Sequence, residues 1–176
     1  MNKTSGLRLH IGGTQQKAGW KILNAQPGPG VDYVGDCVDL GRFADESVEE
    51  IYASHVLEHL GYVEKLPAAL AGFHRVLRKG GVARISVPDF EVLCRLFLDS
   101  RLTLAHRFHI MRMAFGGQND PFDFHCVGLT FEFLDDYLRS AGFSRVERVG
   151  EFGLFEDSSS LKFAESPISL NVVAYK

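Results

Sequence analysis

The sequence predicts an open α/β fold built on a mostly parallel sheet with an antiparallel edge strand. Three observations predict it. Ile51-Tyr52-Ala53-Ser54-His55-Val56-Leu57-Glu58-His59-Leu60 begins as a short apolar strand and breaks at Ser54-His55 into what reads as the first turn of a helix. Further on, Leu77-Arg78-Lys79-Gly80-Gly81 leads into the apolar run Val82–Val87, closed by Pro88-Asp89. Strands and helices alternate through the first half, and the last two strands come late. Strand, polar break, helix, Gly-Gly and strand make one turn of an open sheet, in which ligands sit at the carboxyl ends of the strands.

Each element has its own warrant. Leu7 to Ile11 alternates as a strand and stops at Gly12-Gly13. Trp20 to Asn24 is a second strand, ended by Pro27-Gly28-Pro29-Gly30, a run that lacks amide donors and invites turns. The stretch from Gly13 to Trp20 is too short for a helix, so the helix expected between the first two strands is missing. Val31 to Gly35 is a third strand, stopped by Asp36, and Ile51 to Ser54 is the fourth. Glu64 to Arg78 carries Leu66, Leu70, Phe73, Val76 and Leu77 at helical spacing, with Gly80 at the C′ position. Val82 to Val87 is the fifth strand. Asp89 caps a helix holding Phe90, Leu93, Leu96 and Phe97, and Leu102 to Phe115 forms another. Thr130 caps a helix ending at Gly142, and Val146–Val149 and Leu170–Tyr175 are the closing strands. No repeat or linker divides the chain, so residues 1–176 read as one domain, with roughly residues 90–130 as a helical, lid-like insertion on the substrate side.

The 176 residues carry a net charge of −3, and 45% of them are hydrophobic. That balance leaves no basic footprint for nucleic acid. Cys37, Cys94 and Cys126 form no CxxC pair and suit free thiols in a reducing compartment. Met1 to Gly6 lacks the apolar core of a signal peptide, and no uncharged run reaches membrane-span length. The reading is a cytoplasmic protein without a membrane or nucleic-acid partner, acting on a small molecule, with a homodimer left open.

Chemistry concentrates at the strand ends. Gly12-Gly13 lets a ligand approach backbone amides without a Cβ in the way. Asn24, beside Ala25, offers a short polar side chain to a ribose hydroxyl, and Asp36 a carboxylate to an exocyclic amine. Ser54-His55 closes the row. Each is a common turn or strand terminator alone; four on one rim of one sheet make a ligand cleft. His55 and His125 are the candidate bases, since imidazole titrates near neutral pH.

The run Val31-Asp32-Tyr33-Val34-Gly35-Asp36, then Leu40, Phe43-Ala44-Asp45, Ile51 to Leu60 and Val76-Leu77-Arg78-Lys79-Gly80-Gly81 resembles the class I S-adenosylmethionine-dependent methyltransferases, in their small type 11-like branch. The resemblance covers about residues 7–89 and implies a Rossmann-like methyltransferase fold with S-adenosylmethionine as cofactor. It would put Gly12 and Gly13 against the methionine end, Asn24 and Ala25 at the ribose, Asp36 and Cys37 around the adenine, and Ser54 and His55 over the sulfonium. The chain departs from the pattern in having no third glycine after Gly12-Gly13, and Asn24 where the family has an acid.

Rival patterns overlap these residues. His55-Val56-Leu57-Glu58-His59 fits H-x-x-E-H, a zinc-hydrolase motif. It is set aside because His55 stands at a strand end and no third-ligand helix follows, so no metal is assigned. His59 reads as structural, and Glu58 as a residue bonding back to a helix N-terminus. Phe115 to His125, with Gly116-Gly117 as hinge and three phenylalanines, reads as a lid. Arg101, His106, Arg107, His109 and Arg112 read as a solvated helix face. The weakened glycine motif and Asn24 keep a non-catalytic cofactor-binding module as the alternative to a methyltransferase.

Overall fold

The computed structural model describes residues 6–176. In chain order the strands are β1 (Leu7–Ile11), β2 (Trp20–Asn24), β3 (Tyr33–Val34), β4 (Val48–Ser54), β5 (Leu77–Pro88), β6 (Arg145–Val149), the short hairpin β7 (Lys162–Phe163) and β8 (Ser166–Pro167), and β9 (Ser169–Tyr175). The helices are α1 (Lys65–Val76), α2 (Phe90–Leu98), α3 (Leu104–Phe115) and α4 (Phe131–Ser140). Seven strands form one sheet in the order β3-β2-β1-β4-β5-β9-β6. All pairings from β3 to β5 are parallel, and β9 runs antiparallel to both β5 and β6. The mostly parallel sheet with its antiparallel edge is the fold the sequence predicts.

Caps place the helices where the sequence puts them. Asp89 accepts from the Val92 amide, Thr103 from His106 and Thr130 from Phe133. Each such cap is worth about 1 kcal/mol. One boundary differs. Helix α1 ends at Val76, and Leu77 is already paired with Val48, while Val82 pairs with Glu50. The intervening residues loop out of register, and Gly80, at φ +71, serves that excursion instead of capping the helix. The fully buried side chains of Val76 and Leu77 decide it, because each needs the core more than the helix needs another turn.

Alternation gives the sheet two unlike faces. Leu9, Ile11, Ile51 and Ile85 join Leu70 and Phe73 of α1 and Leu134 and Leu138 of α4 in the main core. The opposite face carries His10, Tyr52, Ser86 and Asn171, all buried. The chain runs from β1 to β2 without a helix, so another element has to cover this face. Phe152 and Phe155 do so. Phe155 lies 4.0 Å from the His10 ring, 4.8 Å from Tyr52 and 5.4 Å from Trp20 between centroids. The Tyr52 hydroxyl donates to Asp157 Oδ2 at 2.7 Å, and Asn171 Nδ2 donates to the carbonyls of Gly150 and Ser159. Helices α2 and α3 pair around a separate small cluster of Leu93, Ile110 and Ile168. No helix among the described residues is long and apolar enough to cross a membrane.

Burial holds the His10 imidazole below its ordinary value, against the pull of Asp157. The unfolded chain therefore binds more protons than the fold does between that lowered value and about 6.5. Stability from this group is complete above about pH 6.5 and is lost as pH falls toward the folded value. His74 and His125 shift the same way. We expect the urea midpoint to fall between pH 7 and pH 5, and the fall to be shallower in His10→Phe, which keeps the ring stack. An equally steep fall in the variant would show that His10 contributes nothing.

Candidate active site

The carboxyl ends of β1, β2, β3 and β4 open on one cavity of about 630 Å³. Gly12, Asn24, Ala25, Asp36, Cys37 and His55 all line it. Gly13 and Ser54 do not. Gly13 is buried against His10, whose ring an added Cβ would meet at 2.4 Å, and the Ser54 hydroxyl is buried behind His55, beside Tyr52. Gly12 sits at φ +72, and a Cβ there would lie 2.4 Å from Val56 Cγ2. Only glycine lets this turn lie down on Val56 and keep the cavity open.

Asn24 does more than its expected part. Its Nδ2 donates to the carbonyls of Gly12 and Gly13 at 3.2 and 3.1 Å, and its Oδ1 accepts from the Gln26 amide at 2.9 Å. The carboxamide braces the glycine turn, with one Oδ1 lone pair left over. Asp36 accepts from the Val38 amide through Oδ1, which leaves its second oxygen uncommitted. Burial pushes the neighbouring Cys37 thiol up to about 12, so it remains protonated. Ile11, Leu23, Val56 and Leu60 supply an apolar floor, and Lys65 a cation at the rim.

The strand β4 ends in a strained residue. His55 has φ +54, a left-handed backbone rare for a side chain with a Cβ. Its amide donates to the Ser86 carbonyl at 2.8 Å, so β5 holds it there. The following residues Leu57–His59 form a single 3-10 turn instead of a helix. His55 thus lies outside the turn that carries His59, and the two histidines of the H-x-x-E-H pattern share no helical face.

The His55 ring is held on both sides. Ser169 donates its hydroxyl to the Ser158 carbonyl at 2.7 Å, so at 3.0 Å it accepts from His55 Nε2. His55 Nδ1 stands 3.3 Å from Glu58 Oε1, close but not aligned for a hydrogen bond. Glu58 is only 1% exposed and does not bond back to a helix terminus: both its oxygens lack a hydrogen-bond partner.

A second cavity, of about 310 Å³, adjoins the first and shares His55 with it. His109, Arg112, Gly117, His125, Ser158 and Lys162 are among its lining. His109 and Arg112 border this cavity while staying exposed, in keeping with the solvated helix face the sequence suggests. The segment Phe115 to His125 is pinned. The Cys126 amide donates to the Glu58 carbonyl at 2.7 Å, His125 N donates to the Phe115 carbonyl, and the His59 ring bonds the Phe124 carbonyl. Gly116, at φ +84, is required by close packing, since a Cβ would fall 2.1 Å from the Asp123 carbonyl oxygen, and not by a hinge. Burial lowers the His125 imidazole, partly offset by Glu58. Neither Ser169 nor Ser158 is legible in the sequence, because Ser169 meets His55, and Ser158 meets Ser169, only through the fold.

This strand order, with a glycine turn after β1 and polar residues at successive strand tips, is that of an open α/β sheet with its ligand cleft at the carboxyl edge. The methyltransferase-domain family model matches residues 14–85 of the chain. Solved structures of this fold include S-adenosylmethionine-dependent methyltransferases. No curated protein matches the chain in sequence. Similar solved structures include an S-adenosylmethionine-dependent methyltransferase from Thermotoga maritima, at 19% identity and TM-score 0.56, over 97% of this chain and 82% of that one. Another, from Archaeoglobus fulgidus, has 17% identity and TM-score 0.61, over 99% and 87%. A third is the 1,6-didemethyltoxoflavin-N1-methyltransferase of Burkholderia thailandensis, solved with 1,6-didemethyltoxoflavin and S-adenosylhomocysteine, at 16% identity and TM-score 0.58, over 97% and 71%.

The residues present fit S-adenosylmethionine as cofactor. An apolar floor, a carboxylate with a free oxygen and a turn kept open by Gly12 suit a nucleoside, and the ribose side is neutral where Asn24 replaces an acid. Restoring the acid does not improve the site. In Asn24→Asp a carboxylate would face the Gly12 and Gly13 carbonyls that the amide now satisfies. We expect calorimetry to show S-adenosylhomocysteine binding weakened by about tenfold or more, in keeping with 1–3 kcal/mol for opposed or unsatisfied polar groups. Unchanged or tighter binding would mean that the brace is dispensable.

Proposed function

We propose that this protein transfers the methyl group of S-adenosylmethionine to a small-molecule acceptor, with cofactor and acceptor in the two adjoining cavities. The observation that carries this reading is His55, one side chain lining both. Gly12, Asn24, Asp36 and Cys37 would hold the cofactor, which supplies a methyl group on a cationic sulfur. The acceptor cavity, about 310 Å³, lies at the small end of ligand pockets, near 300 Å³. That size favours a small molecule over a macromolecule.

Methyl transfer needs alignment of the two reactants, and removal of a proton where the acceptor is a hydroxyl, thiol or amine. Both candidate bases line the acceptor cavity. His55 has Nε2 bonded to Ser169 and Nδ1 against Glu58, so it fixes the wall between the cavities. His125 keeps Nδ1 without a partner and is the ring that serves the acceptor. Residues 90–130, with their separate cluster of Leu93 and Ile110, form the substrate-side insertion. The exposed Cys94 and Cys126 thiols, unpaired as free cysteines, suit a cytoplasmic protein.

Methyl transfer to a panel of small hydroxyl, thiol and amine acceptors, followed by S-adenosylhomocysteine release, tests the reading. With an accepted substrate, His125→Ala should lower the rate by about 10²–10⁴-fold, the usual contribution of a positioned proton acceptor. His55→Ala should lower it as well, through misplacement. Unchanged rates in both variants would end the assignment. Tight S-adenosylhomocysteine binding with no transfer to any acceptor would favour a cofactor-binding module.

A further inference from the structure

The Glu58 carboxylate poses an unsolved problem of charge. It is 1% exposed, and neither oxygen has a hydrogen-bond partner. A buried carboxylate left in that state costs several kcal/mol unless something positive meets it. His55 Nδ1 stands 3.3 Å from Glu58 Oε1 without the alignment of a hydrogen bond, and two further groups face the same point. His125 Nδ1 is buried and unpartnered. His59 lies against the Phe124 carbonyl at 3.0 Å through Nδ1. A carbonyl only accepts, so the proton is on Nδ1 and the lone pair on Nε2. One ligand atom from each of Glu58, His59 and His125 falls within 4.8 Å of the others.

We infer that Glu58, His59 and His125 bind one divalent metal ion of the zinc class. Two imidazoles and a carboxylate are a common ligand set for such an ion, and three protein ligands leave a coordination position open. The supporting shell is already built. A ligating histidine typically donates its other N–H to a backbone carbonyl, as His59 does. Cys126 N donates to the Glu58 carbonyl and His125 N to the Phe115 carbonyl, which fixes the loop that carries His125 over the turn that carries Glu58. Bonds of about 2.0–2.2 Å set neighbouring ligand atoms roughly 3.3–3.5 Å apart, so the trio closes by up to about 1.5 Å on binding.

The location gives the ion a use. His59 lines the cofactor cavity and His125 the acceptor cavity. The open position lies between them, where an acceptor hydroxyl or thiol could coordinate and lose its proton to solvent more readily. This deepens the proposed function, since His125 then acts on the acceptor through the ion. The ligand set differs from the H-x-x-E-H motif, because His55 is replaced by His125 and Glu58 is itself a ligand.

Tag-free protein stripped with a chelator and titrated with Zn²⁺ against a chromophoric competitor tests the site. One equivalent should bind, and Co²⁺ in its place should give visible d–d absorption. Glu58→Gln and His125→Asn should each weaken Zn²⁺ binding by about 100-fold or more, beyond the 10–100-fold typical of outer-shell changes. His106→Asn, outside the trio, should bind as the parent does. Should Glu58→Gln not fold, His125→Asn carries the comparison. Less than a tenth of an equivalent bound, or equal affinity in the folded variants, would overturn the site. S-adenosylhomocysteine calorimetry on the same stripped samples reports separately on the cofactor cavity.

Discussion

The left-handed backbone of His55 is the constraint from which the site follows. A strand that ends on an ordinary residue continues in the direction it was travelling. This one turns sharply, because the His55 amide is bonded to Ser86 on the neighbouring strand while φ is +54. Strain of this kind costs of order 1–3 kcal/mol and persists where surrounding contacts over-determine it. Here the contacts are the sheet on one side and Ser169 on the other. The turn throws the imidazole across the rim, and one cleft becomes two compartments.

The floor behind that partition is polar where a parallel sheet would normally be greasy. Tyr52, Ser86, Asn171 and Ser159 are buried together with Glu58 and His10. Part of this polarity is answered by chain that arrives much later: Asp157 meets Tyr52, and the Gly150 and Ser159 carbonyls meet Asn171. The arrangement resists local repair, since removing one partner leaves a buried donor or acceptor stranded.

The fold was legible because its signals are local. Period-two runs, a helical stripe from Leu66 to Val76 and the caps Asp89 and Thr130 act over a few residues, and the helices start within two residues of their expected places, while β4 and β5 begin three and five residues earlier than expected. The rim of the cofactor cavity was legible for a related reason: strand ends are readable, and parallel strands put their ends on one side. What escaped was whatever depends on side chains meeting across the chain. Asn24 reads as a ribose contact until its amide is seen bonded to Gly12 and Gly13. Gly13 reads as a ligand contact until His10 fills the space beneath it. Ser169 is 114 positions from the ring it holds, and no spacing rule reaches that far.

Coverage of the sheet by Phe152 and Phe155, in place of a helix between β1 and β2, decides how the molecule can be made. A growing chain that has emerged as far as β5 already owns nearly every residue of the cofactor rim, yet one side of its sheet is bare. The pieces that clothe it arrive last: Lys17 Nζ reaches the Leu154 carbonyl across 137 positions, and the Glu156 amide reaches Gln15 across 141. Closing loops of that length is slow and brings no reward until completion. Assembly on the ribosome therefore has little to gain from an early start. The first third of the chain settles only once residues 150–175 have emerged to cover it.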